Sequence, residues 1–329
     1  MKHSYLIFLL LLFILSSCVE DIDKPLVVTE VTTTPNPVSA CGIAFTVRDT
    51  AYMITGRDGT KVTNEVWRFD AALSNWTKIS KFPGIRRINM IAEVVNGKVY
   101  VGLGYNPASW WGIKENFLKD IWRYDPALNT WDSVRTIFPG TETNNAVSFV
   151  WDDEIFILHG FESHIINSQG FSRKVRKYSV KDNTWTVMND FPGYMRTSAV
   201  AVTNGKQIFA GTGYATWNEY DWWEYLPQTD SWEKRKRMPD KGRINASAFT
   251  VNNRIFVTGG RYFAGKYTAG HVKKEIMEYV PDEDKWYVAG ELPQGTENAF
   301  TFVVGKEAYV GYGEDDTVAN VKLWKCTGF

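Results

Sequence analysis

Short runs of alternating apolar and polar residues, each ended by Gly, Asn or Asp, fill the chain. The clearest is Arg243–Gly260, R-I-N-A-S-A-F-T-V-N-N-R-I-F-V-T-G-G. It predicts two strands, Ala246–Val251 and Arg254–Thr258, around a tight Asn252-Asn253 turn, with Gly259-Gly260 closing the pair. The phrase recurs at Ser39–Gly56, Arg87–Gly104, Thr143–Gly160, Arg196–Gly213 and Thr296–Gly313. In all six copies the last Gly lies 17 positions after the first residue, as from 87 to 104 and from 243 to 260. A glycine at a fixed offset marks a repeated backbone demand, either positive φ or close chain approach.

A second phrase follows each first one. An aromatic sits in a third strand (Phe69, Tyr124, Tyr178, Tyr225, Tyr279, Trp324). A turn rich in Asp, Pro or Asn then leads to Trp76, Trp131, Trp185, Trp232 or Trp286. Those Trp residues are spaced by 55, 54, 47 and 54 positions. Four short strands per repeat of roughly 50 residues predict the blades of a propeller. No long amphipathic helix pattern and no second domain appears. Ile54, Val101, Ile157, Phe209, Val257 and Val310 are expected to form the core between blades.

The order Gly-Gly, Tyr-Asp-Pro, Asn-x-Trp, then Pro and Arg resembles the kelch repeat, most closely at Tyr124-Asp125-Pro126-Ala127-Leu128-Asn129-Thr130-Trp131. The resemblance runs from about Val27 to the end and implies an all-β, six-bladed kelch-type β-propeller. The sixth copy has its hairpin and third strand (Val321–Cys326) but no Trp strand, since only Thr327-Gly328-Phe329 remain. In full copies the Trp lies 10 to 12 positions before the next repeat, as from 286 to 296 and from 76 to 87. Counting back from Ser39 places the missing outer strand at Val27–Thr33. The last blade is therefore expected to be closed by this N-terminal strand, hiding an edge open to pairing.

Residues 1–18 read as a targeting segment, 19–26 as a tether and 27–329 as the propeller. The apolar run Tyr5–Leu15 has the length of a signal sequence rather than of a membrane span. Leu15-Ser16-Ser17-Cys18 resembles the bacterial lipobox, which implies removal of the signal and lipid attachment at Cys18. The acidic run Val19-Glu20-Asp21-Ile22-Asp23 resembles surface-export tethers of Gram-negative lipoproteins. The expected location is thus the cell envelope, as an outer-membrane lipoprotein facing the periplasm or the cell surface. Charge is balanced, 37 Lys and Arg against 37 Asp and Glu, so nucleic acid is not an expected partner. A monomer is expected. Cys41 and Cys326 fall at opposite ends of their strands and are not expected to pair.

Second-to-third-strand loops share a face with the links between blades, and loops on a rigid scaffold are where binding residues concentrate. Arg87, Arg196 and Arg243 begin three inner strands and are expected at an axial mouth, joined by Arg57 and Arg261. Guanidinium groups there suit carboxylate or phosphate recognition. Asn89, Asn145, Asn245 and Asn298, with Ser198 and Cys41, form a second ring, expected to tie inner-strand backbone between blades. Tyr105, Trp110, Trp111, Tyr214 and Trp217 are expected on the same face, with Tyr220, Tyr262 and Phe263, as flat rings for stacking on sugars. Glu142, Glu297 and His164 are the candidate general acids or bases. No zinc, phosphate-loop, dinucleotide or nucleophile-elbow motif is present, so neither metal nor cofactor is expected.

These features point to a lipid-anchored propeller that binds a glycan, a small sugar acid or an envelope protein at its loop face. The alternative is enzymatic. The layout is similar to the kelch-type N-acetylneuraminate epimerases, which implies an arginine-rich mouth for the sugar carboxylate and a proton shuttle. Copper radical oxidases share the fold of their galactose oxidase-like central domain, but the two-His ligand set is missing here.

Overall fold

The computed structural model describes residues 20–21, 24–37, 40–54, 56–58, 61–107, 117–162, 170–264, 270–315 and 318–329. Those residues form strands and turns with no helix, and hence no helix long and apolar enough to cross a membrane. Six sheets carry the predicted hairpin-plus-two pattern in sequence order. Blade 1 runs through Ile43–Val47, Thr50–Ile54, Glu65–Asp70 and Asn75–Lys81. Blade 5 runs through Ser247–Val251, Arg254–Thr258, Glu275–Val280 and Lys285–Glu291.

Second strands are buried on both faces because each sheet is sandwiched between two others, so they read as near-continuous apolar runs. Ile54, Val101, Ile157, Phe209, Val257 and Val310 all lie at 0–1% exposure. In blades 1 to 5 the third-strand aromatic stands directly opposite the fourth-strand Trp. Their ring centroids are 4.6–5.0 Å apart. Such pairs contribute about 0.5–1.5 kcal/mol beyond their buried area. In blades 2 to 5 the tyrosine hydroxyl donates to the turn residue five positions on, Asn129, Asn183, Asp230 or Asp284, which locks the turn to the strand.

Where the inner strands begin, the chain turns left-handed six times: Cys41, Asn89, Asn145, Ser198, Asn245 and Asn298 have φ between 53° and 57°. Asn tolerates this region better than most residues, which accounts for four of the six. The bend points backbone groups sideways. Asn89 N–H donates to Cys41 O, Cys41 to Asn298 O, Asn298 to Asn245 O and Asn245 to Ser198 O, at 2.8–3.3 Å. The expected structural role of this ring is therefore met. The closing glycine supplies the second tie. In four blades its N–H donates to the carbonyl that starts the next repeat, as Gly104 to Thr143 O at 2.8 Å and Gly260 to Thr296 O at 2.8 Å. Gly104 has φ +96°, and a Cβ there would meet Ile88 O at 2.5 Å.

The ring closes as expected. Val27–Val31 pairs antiparallel with Leu323–Thr327 and becomes the outer strand of blade 6. Just before it, Leu26 donates its N–H to Ala289 O at 2.7 Å and is buried between blades 5 and 6. Glu20–Asp21 runs parallel to the outer strand of blade 5. Cys41 and Cys326 are both buried and free, as expected.

One seam departs from the pattern. The sixth residue after the start of each repeat faces the next blade and is Phe45, Phe149, Val202, Phe249 or Phe302 in five blades. In blade 2 it is Glu93. Its carboxylate accepts a hydrogen bond from Ser148 Oγ of blade 3 at 2.7 Å. Burial pushes its pKa up to about 7, and the Ser148 bond only partly offsets that.

Two outcomes follow from this architecture. Deleting Val27–Thr33 exposes Leu323–Thr327 as a free edge and should lower Tm, read by calorimetry, by more than ~10 °C. Glu93 binds its proton more tightly folded than unfolded, so its stabilising protonation is complete below about pH 4.5 and lost as pH rises through about 7. Glu93→Gln should abolish that slope and gain on the order of 2–3 kcal/mol above pH 7 in denaturant unfolding.

Candidate functional site

The loop face is built by one repeated contact. The residue after each repeat start bridges to the residue after the closing glycine: Ala40 to Arg57, Ile88 to Tyr105, Asn144 to Phe161, Thr197 to Tyr214, Ile244 to Arg261 and Glu297 to Glu314. Arg57, Tyr105, Phe161, Tyr214, Arg261 and Glu314 thereby surround the axial mouth. Blades 2 to 5 contribute an aromatic belt in which Tyr105, Phe117, Phe161, Phe171, Tyr214 and Phe263 follow one another at centroid distances of 5.4–5.9 Å.

The other side of the mouth is charged. Arg57 donates to both oxygens of Glu314 at 2.6 Å, and Asn298 Nδ2 donates to Glu314 Oε1 at 2.8 Å. Arg261 Nε donates to Glu297 Oε1 at 2.7 Å, and Asn245 Nδ2 to Glu297 Oε2 at 2.9 Å. Cys41 Sγ lies 3.6 Å from Glu314 Oε1. Burial first, then that carboxylate, raises the thiol far above its ordinary range. It is an inert thiol rather than a nucleophile.

Arg87, Arg196 and Arg243 correct an expectation. They are not offered to a ligand at the mouth; their side chains are 0–1% exposed. Each Nη1 donates to the carbonyl just before the closing glycine, that of Leu103, Thr212 or Gly259, at 3.0–3.1 Å. In blade 6 Thr296 Oγ1 makes the same bond to Tyr312 O. The guanidinium groups also grip Asp120, Asp221 and Asp240. Burial alone would raise those carboxyls; the arginine bonds and charge more than offset it and hold them below the usual range. Arg87 and Arg196 further stack over Phe82 and Phe191, at 5.1 and 4.9 Å. A Cβ on Gly84 or Gly193 would sit 2.9 Å from the guanidinium nitrogen. The Phe-Pro-Gly ahead of Arg87 and Arg196 was the sequence signal for this packing; Arg243 follows Met238-Pro239-Asp240 instead.

From Tyr214 the aromatic belt continues outward into a groove between blades 4 and 5, a cavity of about 610 Å³. Trp217, Tyr220, Tyr262 and Phe263 line it together with Arg237 and Lys241. Trp217 is 76% exposed. Arg237 lies 5.1 Å over Tyr220 and Lys241 5.8 Å over Tyr262. Asn218 fixes the groove wall by exchanging hydrogen bonds with the backbone of Phe263 at 2.6 and 3.0 Å. Tyr214, Trp217, Tyr220, Tyr262 and Phe263 thus come together; Arg237, Lys241, Phe117 and Phe171 were not singled out in the sequence.

The acid–base candidates scatter. Glu142 lies 3.3 Å from Lys119, away from Glu297, which is held by Arg261. His164, Trp110 and Trp111 fall outside the described residues, as does Cys18. His159, expected in a second strand, lies buried just beyond the end of one, Glu154–Leu158; it packs edge-on at 4.6 Å to Phe191, and burial, then the Arg196 charge, lowers its pKa to about 3.

Six radial sheets, the Tyr–Trp pairing and the N-terminal closing strand define a kelch-type β-propeller. A family profile described as the attractin/LZTR1 β-propeller matches residues 28–260, and the chain belongs to that family. It is 24% identical to mouse kelch-like protein 35 over 242 residues, which are 73% of this chain and 37% of that protein. The chain therefore spans less than half the length of that relative. It is 27% identical to the N-acetylneuraminate epimerase of Haemophilus influenzae over 292 residues, 82% of this chain and 69% of the epimerase. It is 24% identical to that of Pasteurella multocida, over 78% of this chain and 60% of the epimerase. The solved structure of YjhT superposes with a TM-score of 0.71 at 18% identity, covering 89% of this chain and 95% of YjhT, a likeness of fold.

The arginine assignment has a direct check. Arg196→Met leaves Asp221 buried without its partner and should cost ~3–5 kcal/mol in denaturant unfolding, whereas the exposed Trp217→Ala should stay within ~0.5 kcal/mol.

Proposed function

We propose that the protein is a sugar-binding module of the cell envelope that holds an acidic glycan or sugar acid on its loop face. The observation that carries this reading is the groove between blades 4 and 5, where exposed and half-buried rings stand beside two cations. Aromatic faces stack on the apolar faces of sugars, and Arg or Lys supplies the counter-charge for a carboxylate or sulfate. The groove's volume lies within the range of small-ligand sites. The lipobox-like Leu15-Ser16-Ser17-Cys18 supports lipid attachment at Cys18 and an outer-membrane location. An envelope protein is the rival occupant of the same face.

A second reading is a sugar-acid epimerase or mutarotase. Similarity to proteins named N-acetylneuraminate epimerases over most of the chain favours it, together with Glu297 and Glu314 beside Arg261 and Arg57 at the mouth. The two readings separate in one set of measurements. A glycan array with intrinsic tryptophan fluorescence should show binding to anionic glycans. Trp217→Ala should weaken that binding by about tenfold or more, the cost of losing an aromatic anchor. NMR of sialic acid anomer exchange should show no acceleration. Acceleration that is lost on Glu297→Gln would establish the enzyme instead.

A further inference from the structure

A second cavity, of about 470 Å³, lies between blades 3 and 4 and shares two lining residues, Tyr220 and Arg237, with the first. The Arg237–Tyr220 stack is therefore a low partition between two lobes of one groove, not the end wall of either. The new lobe adds Tyr194, 73% exposed, and Trp223, whose face carries Lys234 at 5.6 Å. On each side of the partition one ring carries a cation over its face, Lys234 on Trp223 and Lys241 on Tyr262.

The charge of this groove is set by the buried arginines. Its walls contain the carboxylates Asp221 and Asp240, but Arg196 and Arg243 neutralise them from within the scaffold. Burial raises the pKa of Glu219, in the same wall, against the opposing Arg196 charge, and this is one carboxyl beside the three cations Lys234, Arg237 and Lys241. Lys234, Arg237 and Lys241 form no ion pair among the described residues. The groove thus presents a line of uncompensated cations interleaved with rings.

We infer that the two lobes are tandem subsites for an anionic oligosaccharide of at least two sugar units, lying across blades 3 to 5. This rests on the glycan reading of the first lobe. An acidic peptide would also answer the charge, but the exposed rings Tyr194 and Trp217, with Trp223 and Tyr262 beneath cations, supply the flat apolar faces that sugar rings stack on. What lines this groove is side-chain rings and cations.

The test is titration of the full chain with uronic-acid, sialic-acid and sulfated glycans of one to six units, alongside poly-glutamate. Affinity should rise ~tenfold or more between one and two or more units in at least one series, because the second unit binds at high effective concentration. Tyr194→Ala should erase that gain and leave single-unit affinity unchanged, while Trp217→Ala weakens both. Circular dichroism melting would verify that each variant keeps its fold. Binding of single units with no gain on lengthening, or a gain that survives Tyr194→Ala, would overturn the tandem groove and leave the single-site reading standing. Binding of poly-glutamate alone, or of nothing on the panel, would overturn both.

Discussion

Six sheets can share an axis only if the backbone groups at their inner ends satisfy one another. Buried peptide groups left unpaired cost about 1–3 kcal/mol each, and at the axis there is no room for a side chain to serve every one of them. The protein meets this with a left-handed residue at the start of all six inner strands and, in repeats 2 to 6, a left-handed pair formed by the closing glycine and the residue before it. At four of the strand starts and four of the closing glycines the N–H donates to a carbonyl of the adjacent repeat. The fixed spacing of the sequence repeat is the trace of this demand. A repeat with one residue more or fewer between these points would misdirect both bonds.

The same constraint separates structural charge from binding charge. The carbonyl just ahead of the closing glycine faces inward, and Arg87, Arg196 and Arg243 exist to meet it. Because each is buried it also needs an anion, and Asp120, Asp221 and Asp240 provide one. Two of those aspartates line the outer groove. Scaffold pairing therefore silences acids that would otherwise repel an anionic ligand, and the groove takes its sign from Lys234, Arg237 and Lys241.

Blades, core positions, the Asn ring and the closing strand were legible in the sequence because period-two alternation, glycine and Asn each report a backbone state directly. Arg87 was misjudged for a related reason. Its position at the head of an inner strand is fixed by the repeat, but the direction of a long side chain depends on Phe82, Gly84 and Asp120, which only folding assembles. Lys241, in a link, and Phe117, at a loop end, were invisible because no periodicity governs such segments. Glu93 was hidden among apolar residues of an inner strand, and its burial depends on the neighbouring blade.

The strand that closes blade 6 precedes the inner hairpins of all six blades in the chain, while its partner Leu323–Thr327 follows them all. During synthesis, five complete blades can form with the circle still open, and Val27–Val31 must wait unpaired until residues 323–327 emerge. The circle is then closed in a single late step that joins Val27–Val31 to Leu323–Thr327. A nascent chain halted before residue 323 has no partner for Val27–Val31, so truncated products remain marked by an open edge that proteases and chaperones can recognise.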